Sequence, residues 1–365
     1  MAAEPRSRQR DWTVAPGEIL SEVLEERGMS QSELARRMGR PIKTINEIAN
    51  GKAAITPETA IQLDLALGIS AAFWNNLEAS YRAHLAWERA DEELATHATW
   101  AAEFPIRDLV KHDLINVGDT KASKVAAVLR FFQVSTPEAW EKNWTAAAAA
   151  YRRSEAFEAS PQASAAWLRW GEIVAAEIQT DPFDAEHFRT VLAEIREMTK
   201  RDFALIRQRI VDLCASAGVA LVITPEFAGT HVSGAARWLT PDKAIIQLSL
   251  RHKTDDQFWF SFFHEAGHLL DKKKTDHLDA DPARVEAEDV ASDEAAANRF
   301  ARDTLIAPDL YMEFVAVGDF SEPAIRSFAR KLNLAPGILV GRLQRDGHVA
   351  RTRLRFLKKT IHPAG

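Results

Sequence analysis

Apolar residues recur at helical spacing through most of the chain, and Gly or Pro punctuates almost every repeat of that pattern. Over the first 80 residues the periodicity predicts four short helices. The first runs from about Pro16 to Arg27 and stops at Gly28. Ser30-Gln31-Ser32-Glu33 then has the form of a capping box, in which the Ser30 hydroxyl takes an orphan amide and Glu33 reaches back. The helix it opens carries Leu34, Ala35 and Met38 on one face and ends at Gly39. Pro41 suits the first turn of a third helix, where its missing N–H costs nothing. That helix is expected to turn Ile42, Ile45 and Ile48 inward and to stop at Gly51, and Thr56-Pro57 starts a fourth that ends near Gly68.

From Leu77 to about Lys200 the pattern predicts several amphipathic helices broken at Pro105, Pro137, Pro161 and Pro182, and the run TAAAAAYRR from Thr145 is expected to be one more. Trp100, Trp140, Trp144, Trp167 and Trp170 are expected in helix contacts or the core rather than in a ligand pocket. The texture changes after Cys214. Gly218-VALVITP, Gly234-AARWL and Lys243-AIIQLSL alternate β-branched and apolar residues between turn signals, which predicts a small antiparallel sheet. Helical period returns in Asp255-DQFWFSFFHEAGHLLD. Near the end, Ser321-EPAIRSFARKLNLAPGILVGRLQRDG has the form of a second helix-turn-helix, more readily a helical support than a second DNA contact. A basic tail follows it. The chain is therefore expected to be multi-domain and mostly α. An all-α domain over 1–80 precedes a helical connector over 81–200, an α+β domain over 201–345 and a basic tail over 346–365.

Length and composition bound this picture. The chain has 365 residues, enough for two or three domains, and 46% hydrophobic with 27% charged residues excludes disorder as a whole-chain description. No stretch approaches the roughly 18–20 apolar residues of a membrane span, and MAAEPRSRQRDW is not a secretory leader. A single cysteine excludes an internal disulfide framework and fits a reducing compartment. A cytoplasmic protein without a membrane partner is expected. The net charge of -6 argues against a chain that coats nucleic acid all over. Between Arg27 and Lys52, however, six bases stand against two acids. The same stretch holds the helix, tight Gly turn and second helix of a helix-turn-helix, whose second helix enters the major groove. Its outward residues are Lys43, Thr44, Asn46, Glu47 and Asn50, with Arg40 and Lys52 at its ends. Asn suits adenine edges, and Lys suits guanine or phosphate.

His264-Glu265-Ala266-Gly267-His268 is an HExxH signature. Residues four apart lie on one helix face, so both imidazoles can reach one metal ion, and Glu265 is placed to take a proton from an attacking water. Catalytic zinc sites use three protein groups. The third is sought in Val285-EAEDVASDEAAANRFARDTLI, where Glu294 and Asn298 stand four apart. Glu294 would coordinate and Asn298 would hold a ligand His through its second ring nitrogen. Asp293 and Glu288 are alternative ligands, and the pairing with Asn298, Phe300 and Ala301 favours Glu294. The ligand types point to zinc, with manganese or iron able to use the same groups.

Two resemblances sharpen these readings. PGEILSEVLEERGMSQSELARRMGRPIKTINEIANGKAAITPETAIQLDLALG resembles the XRE-type helix-turn-helix of HigA-like antitoxins across its full length. This implies a five-helix, usually dimeric domain that represses promoters, with Gln31 on the DNA backbone and Lys43, Thr44 and Asn46 in the contact. HEAGH followed by EAAANRFARDTLIAP is similar to the ImmA/IrrE family of metallopeptidases, over roughly residues 200–345. That resemblance implies a thermolysin-like gluzincin site with one zinc ion per chain, His264, His268 and Glu294 as ligands and Glu265 as general base. It also implies cleavage of a DNA-binding repressor, although here a helix-turn-helix is on the same chain and the substrate stays open. A further oxyanion donor is expected, with His231, Arg237 and Tyr311 as candidates. Taken together, the expectation is a DNA-binding regulator carrying a zinc endopeptidase that cuts a regulatory protein, another chain or itself, on a signal. The competing expectation is a non-proteolytic HigA-like antitoxin or repressor whose peptidase fold senses a metal or binds a toxin. Operator DNA, a protein substrate or toxin, and a second copy are the expected partners.

Overall fold

The computed structural model describes residues 14–145, 160–228, 230, 232–249, 251, 254–271 and 287–361, with the backbone alone at 145 and 287–291. Contacts divide the chain into two compact units, Met1–Ala101 with Asn116–Ala127, and Ala102–Ile115 with Val128–Gly365.

In the first unit, α1 (Pro16–Glu26), α2 (Gln31–Met38), α3 (Ile42–Ala49) and α4 (Pro57–Leu67) are followed by the long α5 (Ala71–Thr96). Leu20, Leu34, Ile45, Leu63 and Trp74 are fully buried together. Each such aliphatic side chain contributes about 1.5–3 kcal/mol by leaving water. Local chemistry sets the boundaries. Ser30 Oγ accepts from Glu33 N at 3.2 Å and Thr56 Oγ1 from Thr59 N at 3.3 Å, while Gly39 closes α2 at φ +63°. Glu33 does not complete the capping box: its carboxylate pairs with Arg36 and Arg37 on its own helix instead. Pro41 is the N-cap of α3 rather than part of its first turn. Ile42, the first residue of α3, is 52% exposed, because the core closes only over Ile45 and Ile48. α5 runs without a break past residue 80, so the expected boundary falls inside a helix.

Short helices α6 (Ala98–Ala102), α7 (Ile106–Lys111), α8 (Lys121–Phe132) and α9 (Pro137–Trp140) lead to α10 (Pro161–Glu177), α11 (Ala185–Met198) and α12 (Phe203–Ser216). Phe104, Phe132, Trp140 and Trp144 pack edge to face with centroids 5.0–5.7 Å apart, and Trp170 stacks on Phe227 at 5.3 Å. The tryptophans of this region are thus contact residues. The Ala run at 146–150 lies outside the described residues.

Strands β1 (Val219–Ile223), β2 (Gly234–Thr240) and β3 (Lys243–Leu248) form one sheet in the order β1-β3-β2. It is mixed, not antiparallel. The tight connection between β2 and β3 makes that pair antiparallel, from Gly234 opposite Leu248 to Thr240 opposite Lys243. β1 lies parallel to β3, with Val219 opposite Ala244 and Ile223 opposite Leu248. A parallel pair needs both faces covered, and the alternation of side chains supplies two apolar faces. Ala220, Val222 and Ile245 pack on Ala175 of α10, while Val219, Leu221, Ala244 and Ile246 join the main core. The segment expected as a connector therefore covers one face of the sheet.

The remaining helices are α13 (Asp255–Asp271), α14 (Ala287–Leu305), α15 (Pro308–Val317), α16 (Glu322–Lys331) and α17 (Pro336–Arg345). α17 buries Ile338, Leu339, Val340 and Leu343, so the second helix of the expected C-terminal pair faces the core and not a groove. The basic segment after it, expected as a tail, packs against the second unit at some of its residues. Leu357 and Ile361 are buried, and Lys359 N donates to Asp255 Oδ1 at 3.1 Å. Residues 362–365 lie outside the described residues. No described helix is long and apolar enough to cross a membrane.

Candidate metal centre and nucleic-acid interface

α13 brings the HExxH residues into the core of the second unit. Trp259, Phe262, Phe263 and Ala266 are fully or almost fully buried, which fixes which side of the helix faces inward. Gly267 lets α14 approach closely. A Cβ at 267 would stand 3.1 Å from Phe300 Cδ1 and 3.2 Å from Ala297 Cα. With Ala297 and Ala301 also buried on α14, the two helices cross over small residues. The turn of α14 before Ala297 then delivers Glu294.

Among the described residues His264, His268 and Glu294 form one cluster, each offering a ligand atom within 4.8 Å of the others. The two Nε2 atoms are 3.1 Å apart, and each lies 3.3 Å from a different oxygen of Glu294. Four-coordinate zinc with bonds of about 2.0–2.1 Å sets ligand atoms about 3.3–3.4 Å apart at tetrahedral angles. The donor set fits that ion in type and in spacing. Asp293 is not part of the cluster, and the side chain of Glu288 lies outside the described residues.

Electrostatics of the cluster follow from this packing. Burial works against a charged His264, but the hydrogen bond to Glu294 and the charges of Glu265 and Glu294 outweigh it and raise its pKa. Burial likewise works against an ionised Glu294, yet hydrogen bonds from His264 and His268 hold its pKa down at about 2. Glu294 is thus an anion at neutral pH. Asn298 also interacts with His264. It does so without regular hydrogen-bond geometry at the buried Nδ1, which has no such partner among the described residues.

Glu265 is 8% exposed, and its charge acts on His264. It lies under the first residue of β2, where a Cβ on Gly234 would come 2.8 Å from Oε1 and 2.9 Å from Cγ. β2 pairs on one side only among the described residues, and the carboxylate lies against the sheet face at its first residue. Phe260, one turn before His264, stacks on that imidazole at 6.1 Å, and the Arg345 guanidinium lies over the Phe260 ring at 4.7 Å. The sequence signal for Gly267 was a small residue between the two histidines, whereas nothing local marked Gly234 or Phe260. The expected oxyanion donors are committed elsewhere: Arg237 to Glu172 at 2.8 Å and to the Leu168 carbonyl, Tyr311 to Asp346 at 2.8 Å. His231 lies outside the described residues.

In the first unit, α2 and α3 present a polar strip. Asn46 donates to Gln31 Oε1 at 3.3 Å, and Asn50 donates to the Asn46 backbone carbonyl at 2.8 Å. Lys43 extends from the same helix with its side chain 83% exposed, 3.8 Å from Glu47. Thr44 is half-buried, and Lys52 is exposed beyond the end of α3. Arg40 departs from the expected set in one respect, since its guanidinium donates to Gln62 on α4. The strip offers amide edges flanked by cations, the combination suited to base edges and phosphate.

Known proteins resemble this unit. The helix-turn-helix family HTH_3 matches residues 20–74. The uncharacterized HTH-type transcriptional regulator YddM of Escherichia coli (strain K12) is 40% identical over 78 residues, which are 21% of this chain and 77% of YddM. Virulence-associated protein A of Dichelobacter nodosus is 38% identical over 68 residues, 18% of this chain and 67% of that protein. Among solved structures, an addiction module antidote protein of the HigA family from Coxiella burnetii is 31% identical, covering 22% of this chain and 90% of its own, with a TM-score of 0.21. Antitoxin GraA is 30% identical, covering 22% and 88%, with a TM-score of 0.22. Through its first unit, with the exposed polar strip of α2 and α3, the chain belongs to the helix-turn-helix family of DNA-binding regulators.

Proposed function

We propose that the chain is an operator-binding regulator whose second unit is a zinc-dependent endopeptidase acting on a regulatory protein. The observation that carries the enzymatic half is the donor triangle of His264, His268 and Glu294, with a buried Glu265 beside it. Bound zinc would supply the positive charge that acidifies a water and polarises a peptide carbonyl. His264 and His268 hold their places through the packing of α13, and Glu294 contributes a negative charge fixed by the crossing of α14. Glu265 takes the proton of the attacking water and returns it to the leaving amine, the two jobs of a general acid–base group. The edge of β2 that is unpaired among the described residues suits an extended peptide, which would add as a further strand near the Gly234 end, against which Glu265 lies. The DNA-binding half rests on Gln31, Asn46 and Asn50 as an amide strip, with Lys43 and Lys52 for phosphate. A second copy on a two-fold operator and a toxin or repressor as protein partner belong to the same proposal.

Metal analysis combined with a cleavage assay tests it, using the protein itself and regulators encoded beside it as substrates. One zinc per chain is expected in the wild type and in Glu265→Gln, with a large loss in Glu294→Ala. Cleavage is expected from the wild type alone. Zinc in both forms with cleavage by neither, while both still repress, would instead favour a sensor. On the DNA side, Lys43→Ala should weaken binding to all sequences and reduce the salt slope by about one. Asn46→Ala should cost about 1–3 kcal/mol at one base position.

A further inference from the structure

A cavity of about 440 Å³ opens in the second unit where the first turns of α13, the end of α14 and one side of α17 meet. None of the three metal-cluster residues lines it. Arg302, Arg342, Arg345, Arg351 and Lys358 do, and Asp256 is the one carboxylate among the lining residues. Lys358 Nζ lies 2.6 Å from Asp256 Oδ2 and offsets that charge, while Asp256 Oδ1 is buried without a hydrogen-bond partner among the described residues. Arg342 is partly neutralised by Asp346 at 2.8 Å. Arg302 shares the charge of Asp346 at longer range, whereas Arg345 and Arg351 form no ion pair among the described residues, and the Arg345 guanidinium rests on the Phe260 ring. Two guanidinium nitrogens, Arg302 Nε and Arg342 Nη1, are buried without a hydrogen-bond partner among the described residues. A buried N–H left unpaired costs about 1–3 kcal/mol, and gathering like charges adds to that cost. Both costs are relieved by one kind of occupant, an anion carrying more than one charge.

We propose that this cavity is a binding site for a small phosphorylated molecule of about nucleotide size. Five bases against the two carboxylates of Asp256 and Asp346 leave an excess of three positive charges, which calls for a ligand of two to three negative charges. Their planar forks match phosphate oxygens in pairs, which favours phosphate over a single carboxylate. Phe260, Ile306 and Ile338 supply an apolar wall against which the organic part of the ligand would lie. The proposal stands apart from the endopeptidase reading, because no metal-cluster residue takes part.

Calorimetric titration of the full chain tests it, with sodium pyrophosphate and ADP as probes at constant ionic strength. EDTA-treated protein is used, and adenosine and a short DNA duplex serve as comparisons. Saturable binding of pyrophosphate and ADP is expected, with none for adenosine. Arg345→Gln and Arg351→Gln, both at exposed positions, should each weaken binding at least ten-fold while leaving the melting curve and zinc content unchanged. His264→Ala should bind both probes as the wild type does. The proposal is overturned if neither probe binds saturably up to 10-millimolar-scale concentrations, or if the arginine variants bind unchanged. It is equally overturned if His264→Ala abolishes binding, which would place the anion on residual metal, or if only the duplex binds.

Discussion

Substituting alanine for Gly17 asks how closely α1 must approach α3, the second helix of the helix-turn-helix. A Cβ at this position would stand 2.5 Å from the Ala49 carbonyl oxygen and 2.8 Å from its carbon, and closer still to the Ile48 oxygen. Ordinary contact begins near 3.4 Å. The opposing atoms are backbone at the end of α3, so no side chain can swing away, and the helices must part by more than about 0.9 Å in a core that tolerates few voids. Overpacking of this kind costs about 1–3 kcal/mol, and rigid neighbours place it toward the upper end. Alanine's better helix propensity returns about 1 kcal/mol. A net loss of about 1–2 kcal/mol follows, which for a unit of roughly 100 residues lowers its melting temperature by about 4–8 °C per kcal/mol. Scanning calorimetry of the full chain reads that shift, and promoter affinity should fall with it because α3 is displaced. Gly28→Ala is the comparison: its φ of +59° makes the change strained, but nothing lies within 4 Å. It should lower stability and leave α3 and promoter affinity alone. A Gly17→Ala protein as stable as the wild type, or more so, would refute the reasoning, since propensity alone gives that result.

Other expectations follow from single contacts. Arg196 donates to the carbonyls of Thr304, Leu305 and Leu332 at 3.0–3.3 Å, so Arg196→Met should destabilise the second unit by about 2–3 kcal/mol in denaturant titration. Gly234→Ala should leave any zinc binding unchanged but push Glu265 aside. Any endopeptidase activity should then fall by about 10- to 100-fold, and undiminished turnover would count against Glu265 as the base. Asp255 is pushed up to about 6 by burial first and the charge of Asp256 second, against backbone hydrogen bonds that lower it. The folded state then holds this proton over a range where the unfolded chain has lost it. Stability falls as pH rises from about 4 to about 6, by up to ~3 kcal/mol, and the loss is complete above that range. Asp255→Asn should lack this falling limb; identical pH profiles for the two proteins would be the contrary result.

Much of the first unit was legible because its signals are local. Ser30 and Thr56 cap within three residues, Gly39 turns where no side chain is tolerated, and Ile45 and Ile48 repeat at helical spacing. HExxH was legible for the same reason, since the spacing of His264 and His268 is a property of one helix. What escaped depends on distant partners. Glu33 could reach back to its cap or pair with Arg36 and Arg37, and only side-chain geometry chose the latter. β1 joined β3 in parallel because α10, a segment with no chemical signature, covers the second face. The cationic cavity draws Arg302, Arg345 and Arg351 from three stretches whose charges look like ordinary solvated faces in sequence.

The crossing at Gly267 carries a consequence for how this chain can vary. Phe300 and Ala297 lie so near that any side chain at 267 has to be matched by a smaller or shifted neighbour on the opposing helix. Single replacements on either helix would widen the gap between imidazole and carboxylate, so lineages should change the two segments jointly or leave both alone. Sequence drift there is expected to be paired, while the solvent side of the same helices drifts freely.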